Sequence, residues 1–480
     1  MDTSARAAWR SRLAELWSGT WRWMLMAAGT VLGAYLLLER GVHNGALVAA
    51  AIGVLVVGVV LSFSKPMAIV LMAMPALFIS ERVGFGGTDL SVSDVALAAA
   101  FGTAILLGHR PYSRPLRAML LVNLVYQFAT LFTVIVNPFT ANTVEWFHAW
   151  LLISGGMLIG WAVGRAGYAR LALNLMVVAA MVIALGTFAT ALVPYASGNF
   201  GEIYPMWPFP MHKNFAGTVM AFMAITVFVN PDWVGWSRHM RTPVFWTLLL
   251  AIVVTQSRQA LIGLVVAIIF VVLRRGVQGK SRLALLLLIP AAWLIAWTLI
   301  DQVESQNRFN SVYQRLDWFR EVYAFWKHSP IFGHGLRYWY TDAASRFQPP
   351  QAELEVVASA GVVGLLGFIA MWIGFIVVLW RVDPRFGTLA IAAVGSRIVQ
   401  AQFDLFWVAG QVSIPFVIAG ICLGAQALES DLRRIGTRGA DLTRPASFGR
   451  SARDGRRLSG VTYDGATSAR DTGVPSGQDS

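Results

Sequence analysis

Five arginines, Arg258, Arg315, Arg320, Arg337 and Arg346, lie between apolar runs of the chain, with Lys213 and many aromatic residues close by in sequence. A guanidinium is a planar fork that donates two parallel hydrogen bonds to neighbouring oxygens, so clustered arginines suit phosphate. Aromatic faces suit sugars and also the membrane–water boundary. Together they fit a lipid-phosphate-linked sugar, and they fit an interfacial belt as well. Arg258 poses the choice most sharply. It stands in "TQSRQALIGL", inside an apolar stretch from Thr242 to Leu273. Either it snorkels from a helix turn to water, or it holds an anion there.

The remaining chemistry is sparse. The chain shows no H-E-x-x-H, no paired cysteines and no phosphate-cradling loop, so neither a metal nor a cofactor is expected. "GVVGLLGF" reads as a helix interior. The single cysteine, Cys422, excludes a disulfide within the chain. Arg397 and Asp404 are the main ionisable residues placed deep in apolar surroundings. They are read either as a structural pair or as a functional one.

The elements that must position these residues are membrane helices. The chain has 480 residues, 56% hydrophobic and only 13% charged, with mean hydropathy +0.60. Soluble chains carry roughly a quarter charged residues. Apolar runs of about 17–25 residues recur, each long enough to cross a bilayer. The expected fold is all-α, a polytopic transmembrane bundle of about 14 spans (12–14) with one large external loop containing an amphipathic helix. The spans are expected at 21–38, 45–62, 66–80, 92–108, 118–136, 147–164, 171–193, 214–230, 243–256, 259–273, 283–300, 353–380, 386–402 and 406–427. The run through Arg258 is too long for one span and is split there.

Net charge is +13, but the charges sit between spans and in the tail, which argues against nucleic acid as a partner. Alternate loops collect most of the Lys and Arg, from Arg6, Arg10 and Arg12 through Arg110, Arg165, Arg238, Arg274 and Arg385. The positive-inside rule makes those loops and both termini cytoplasmic. The segments are then a cytoplasmic N-terminus (1–20), read as preceding an uncleaved anchor, helices with short loops (21–300), and an external loop (301–352). C-terminal helices (353–427) and a disordered basic tail (428–480) complete the chain. In the external loop, Val312, Leu316, Phe319, Tyr323 and Trp326 recur at helical spacing, and "IFGHGLRYWY" follows as a glycine-rich turn.

Three segments carry a resemblance. "TQSRQALIGL", then "RLDWFREVYAFWKHSPIFGHGL", then "QPPQAELEVVASAGVVGLLGF" resembles the conserved half of the O-antigen ligase/polymerase family, over about residues 200–380. "MHKNFAGTVMAF" upstream is similar to the family's preceding helix start. The resemblance implies an enzyme of the cytoplasmic membrane with its active site on the external face, a metal-independent glycosyltransferase. Its donor would be a polyprenyl-diphosphate-linked glycan, its acceptor a hydroxyl of a glycan or lipid-glycan, and the lipid bilayer its setting. A polymerase of lipid-linked repeats fits the same pattern, and a transporter or flippase is the alternative from another class. By the resemblance, Arg258 and Arg315 would contact the diphosphate; Lys213, His212, Arg320, Arg337 and Trp318 are expected as further substrate contacts from their place in the external loops. Trp318 and Phe319 would also pack their helix, and Gly333 and Gly335 would shape the turn.

One position departs from the pattern. The family's histidine, eleven residues before Gly361, is Pro350 here, while Gln351 fits the following slot with nine residues to Gly361. Glu353, His334 and His212 are the candidates for the base that takes the acceptor's proton. Glu353 also reads as a helix N-terminal carboxylate, and either histidine as a turn or surface residue. A leaving group drawn off by the arginines before attack would need no side-chain base, and loss of the histidine also fits a chain that has drifted from catalysis. Gly361 and Gly364 read as helix-packing glycines.

Overall fold

The structure is a computed structural model and describes residues 65, 67–85, 88–275, 311–340 and 348–443, with isolated positions before them. The spans expected at 21–38, 45–62 and 283–300, and Arg346, lie outside the described residues apart from a few positions.

In chain order the elements are α1 (Ala68–Ala76), β1 (Arg82–Phe85), β2 (Thr88–Ser91), α2 (Val92–Leu107) and α3 (Arg114–Val136). There follow α4 (Thr140–Arg165), α5 (Ala169–Ala196), α6 (Lys213–Val229), α7 (Arg238–Thr255) and α8 (Arg258–Arg275). The last elements are α9 (Ser311–Trp326), α10 (Ala352–Trp380), α11 (Pro384–Gln400) and α12 (Ala409–Thr443). Among the described residues five helices are long and apolar enough to cross a membrane: α3, α4, α5, α10 and Ala409–Arg434 of α12. α2 and α6 are shorter apolar helices. The chain is therefore a multi-pass helical membrane protein.

Two features differ from the sequence reading. β1 and β2 pair as an antiparallel hairpin, Arg82 opposite Ser91, in a chain expected to be all helix. α12 runs past the expected boundary at 427 to Thr443. Contacts divide the chain into one unit to Leu432 and a second from Arg433 onward.

Local sequence sets the helix ends. Ser91 opens α2 with a capping box closed by Asp94, and Ser113 and Ser237 accept N–H bonds at the starts of α3 and α7. Asn230 ends α6 in the left-handed conformation. α4 passes through one π turn at Leu151–Gly155. It lies very close to α12: a Cβ on Gly160 would fall 2.0 Å from the Val417 carbonyl oxygen, and one on Gly420 2.2 Å from that of Met157. Glycines four residues apart on both helices permit this approach, as in membrane helix pairs generally.

The helices reverse direction in turn, and the bundle has two chemically distinct ends. At one end Arg274 donates to the carbonyls of Leu379, Trp380 and Val382, closing α10, and Arg165 pairs with Asp431. Trp233 donates to the Arg385 carbonyl there. Arg165, Arg274 and Arg385, all assigned to cytoplasmic loops from the sequence, thus share this end. The other end carries the hairpin, the 197–212 loop, the 330–340 turn and the 401–408 loop.

Candidate active site

Ser257 is the pivot of the expected break between α7 and α8. Gln256 closes α7 with φ +53° and donates to the Phe200 carbonyl at 2.8 Å. Ser257 is fully buried and its Oγ lies 3.4 Å from Asn214 Oδ1. A Cβ on Gly217 of α6 would stand 2.5 Å from the Ser257 Cβ, so α6 presses directly on the turn. Gln259 is buried on the next step, and its amide donates to Asp404 Oδ2 (2.8 Å) and Thr218 Oγ1 (3.1 Å). Between these two anchors Arg258 is exposed, with no ion-pair or hydrogen-bond partner among the described residues.

The other loop cations with described side chains are engaged. Lys213 at the start of α6 pairs with Glu202. Burial acts to raise the Glu202 carboxyl, but the bonds from Lys213 and Tyr204 outweigh it and hold the group below its ordinary value of 4.5. Arg320 lies on the open face of α9, 3.5 Å from Asp317. Arg337 donates to Glu145 Oε2 at 2.8 Å, and its charge sits 4.0 Å from the Tyr340 ring centre. His212 caps α6, its Nδ1 accepting from the Asn214 N–H at 3.3 Å. Arg315 is placed in α9; its side chain is outside the description.

α9 carries part of the expected stripe among its described side chains. Val322 is buried, Trp318 is half-buried, and Phe319 and Tyr323 are 48% and 56% exposed, so the aromatic row is not the face that packs inward. Tyr323 and Trp326 stack on each other instead.

The glycine-rich turn is threaded into a break in α10. Gly361 has φ +64°, and the residues after it donate to the turn: Val362 N to Pro330 O (2.9 Å) and Val363 N to Ile331 O (3.2 Å). In return His334 N and Gly335 N donate to the carbonyls of Ala358 and Ser359. Gly333 and Gly335 have φ +69° and +118°, conformations that favour glycine. Gly361 thus serves backbone shape rather than side-chain packing alone. His334 is held in this turn, its Nε2 3.0 Å from the Phe325 carbonyl oxygen and its ring against Phe325.

Glu353 and Gln351 stand at the start of α10. Gln402 donates to Glu353 Oε1 at 2.6 Å and lies 3.4 Å from Gln351 Nε2. Glu353 Oε2 is buried and has no hydrogen-bond partner among the described residues. Arg397 and Asp404, read together from the sequence, do not touch: Arg397 donates to Gln411 Oε1 and to the carbonyls of Leu405 and Phe406, and Gln411 also reaches Asp404. The structure therefore brings Arg258, Gln259, Lys213 and Asn214 together on one side, and Gln351 and Glu353 on another, with residues 402–404 between them. Arg337 and His334 belong to the turn.

Sequence reasoning missed three groups. Glu355 is buried in α10. A carboxylate within an apolar run was the available signal. Gln402 had none. The third is a chain of ionisable side chains: Asp94 to His148 (2.9 Å), His148 to Glu145 (3.2 Å), and Glu145 to Arg337.

Fold and site together define a multi-pass membrane protein with polar and cationic groups gathered at one end of its helical bundle. Residues 243–369, about a quarter of the chain, match the family described as O-antigen ligase, which supports assigning this stretch to that family. Its function at the level of the family is O-antigen ligase-like glycan transfer. No curated protein matches the chain. The matched stretch holds the Ser257–Arg258 turn, α9, the glycine-rich turn and the break in α10; Lys213 and residues 397–411 lie outside it.

Proposed function

We propose that the chain is a glycosyltransferase moving a glycan from a polyprenyl-diphosphate carrier to an acceptor hydroxyl, without a metal, at the outer face of the cytoplasmic membrane. The acceptor oxygen bonds to the anomeric carbon as the bond from that carbon to the diphosphate breaks. The carrier diphosphate leaves, and the hydroxyl proton passes to Glu353. Arg258 and Arg315 neutralise the charge that grows on the leaving diphosphate. The positive-inside pattern supports the orientation, since the site lies at the end opposite the arginine-rich loops.

The observation that carries this reading is Arg258 itself. Its flanking residues are buried and anchored, while its guanidinium is exposed and without a partner among the described residues, whereas Lys213 and Arg337 are paired. A snorkelling arginine needs no such pinning on both sides.

The test is a mass profile of lipid-linked glycans beside surface glycan in cells carrying Arg258→Ala. Accumulated long lipid-linked chains with no mature surface product support the ligase; accumulated single repeats identify a polymerase instead. An unchanged lipid pool at normal protein level removes Arg258 from catalysis and turns the reading toward transport of a lipid-linked solute.

A further inference from the structure

We propose that Gln402 is a positioning residue for Glu353, and that residues 401–406 form a strap fixing the two sides of the site in register. The proposal rests on the reading of Glu353 as the base. These residues lie beyond the family-matched stretch, so the resemblance assigns them no role.

The strap grips both sides within three residues. Gln402 Nε2 donates to Glu353 Oε1 at 2.6 Å, while Gln402 Oε1 faces Gln351 Nε2 at 3.4 Å. Asp404 Oδ2 accepts from Gln259, the neighbour of Arg258, at 2.8 Å. The backbone joins in, because Ala352 N donates to the Ala401 carbonyl at 2.9 Å. Glu353 and Arg258 are thus linked through side chains of one short segment. Without that segment their separation would depend on α11, the helix that packs against both α8 and α10.

The strap is braced from below. Arg397 is fully buried and donates to the carbonyls of Leu405 (3.0 Å) and Phe406 (2.5 Å) and to Gln411 Oε1 (3.1 Å). Buried loop carbonyls need partners, and one planar fork supplies three bonds. Phe406 is buried between Phe368 and Trp372, and Trp407 stacks on Tyr126. This is a rigid mount on which a residue can orient a neighbour.

An amide suits the task. Gln402 gives a donor to the carboxylate and an acceptor to Gln351, and its other donor contact, to the Ile398 carbonyl, is longer at 3.4 Å. With Oε1 held, the second oxygen of Glu353, itself buried, is the one without a hydrogen-bond partner among the described residues. That oxygen would take the acceptor's proton.

The experiment uses the full-length protein in detergent, with lipid-linked glycan extracted from native membranes as donor. Gln402→Met keeps length and removes the bond. Turnover should fall about tenfold or more, the scale of a lost hydrogen bond to a charged group, with donor KM within about twofold. In a Glu353→Gln background the same change should cost less than about twofold, because the two act as one unit. Gln402→Glu, which sets two carboxylates face to face, should lose more than Gln402→Met and provides the second variant should the first yield little protein. Independent, multiplicative losses in the double variant overturn the positioning role while leaving Glu353 as the base. Full activity of Glu353→Gln overturns the base, and the inference with it.

Discussion

A Cβ on Gly361 would lie 2.3 Å from the Ile331 carbonyl oxygen, so the break in α10 and the turn thirty residues earlier occupy each other's space. Gly361→Ala combines this clash with a backbone region almost reserved for glycine. We expect a loss of about 3 kcal/mol or more, seen as low membrane yield and a lowered thermal midpoint in detergent. Gly102→Ala is the matched control: a Cβ there meets nothing within 4 Å. Helix propensity makes that change neutral or slightly stabilising, by up to about 1 kcal/mol.

Arg258→Lys should keep protein level and stability while losing most transfer activity. The side chain is exposed and unpaired among the described residues, so its removal strands no partner there, but an ammonium cannot reproduce the two-toothed fork. Near-normal surface glycan in this variant would return Arg258 to the role of a snorkelling turn residue.

Arg337 and Glu145 should behave as a structural couple. Arg337→Ala leaves a buried carboxylate without one of its partners, and a loss of about 1.5–3 kcal/mol is expected, typical of a hydrogen bond between charged groups. A double-mutant cycle with Glu145→Ala, read by thermal unfolding in detergent, checks it: the two losses should be strongly non-additive. Additive losses would free Arg337 for a direct role toward substrate.

The Lys213–Glu202 pair sets a pH dependence. Glu202 titrates below its ordinary 4.5 in the folded chain, so its contribution is fully present above that value. It is lost as pH falls through the lower, folded value. Hydrogen exchange over residues 200–213 should be constant from pH 7 to 5, after correction for intrinsic rates, and lose protection only below 4.5. Glu202→Gln should remove that step.

The sequence carried the fold in its apolar lengths and in one interruption. The turn at Gln256–Ser257 was legible because thirty apolar residues broken by one arginine exceed a single span. Gly361 was not, because its positive φ is dictated by carbonyls of Pro330 and Ile331 rather than by its helix. The row from Phe319 to Tyr323 has helical spacing, yet spacing alone does not tell an inward face from one left for the membrane boundary. Glu145 and His148, three apart on a helix, could have been paired by eye. Asp94 and Arg337 stand 54 and 192 positions from their partners, and only the folded bundle joins them. Gln402 reads as an ordinary polar residue until Glu353 is beside it.

The interlock at Gly361 also bears on how the chain is made. The ribosome delivers Pro330 and Ile331 before α10, so the carbonyls that accept from Val362 and Val363 are already made when the helix arrives. A span emerging with Val362 and Val363 unbonded would hold bare amides against hydrocarbon, at several kcal/mol each. A lone α10 would avoid this by running unbroken, its Ala358 and Ser359 carbonyls taking those amides, so the broken form arises only once the earlier turn exchanges partners with the helix.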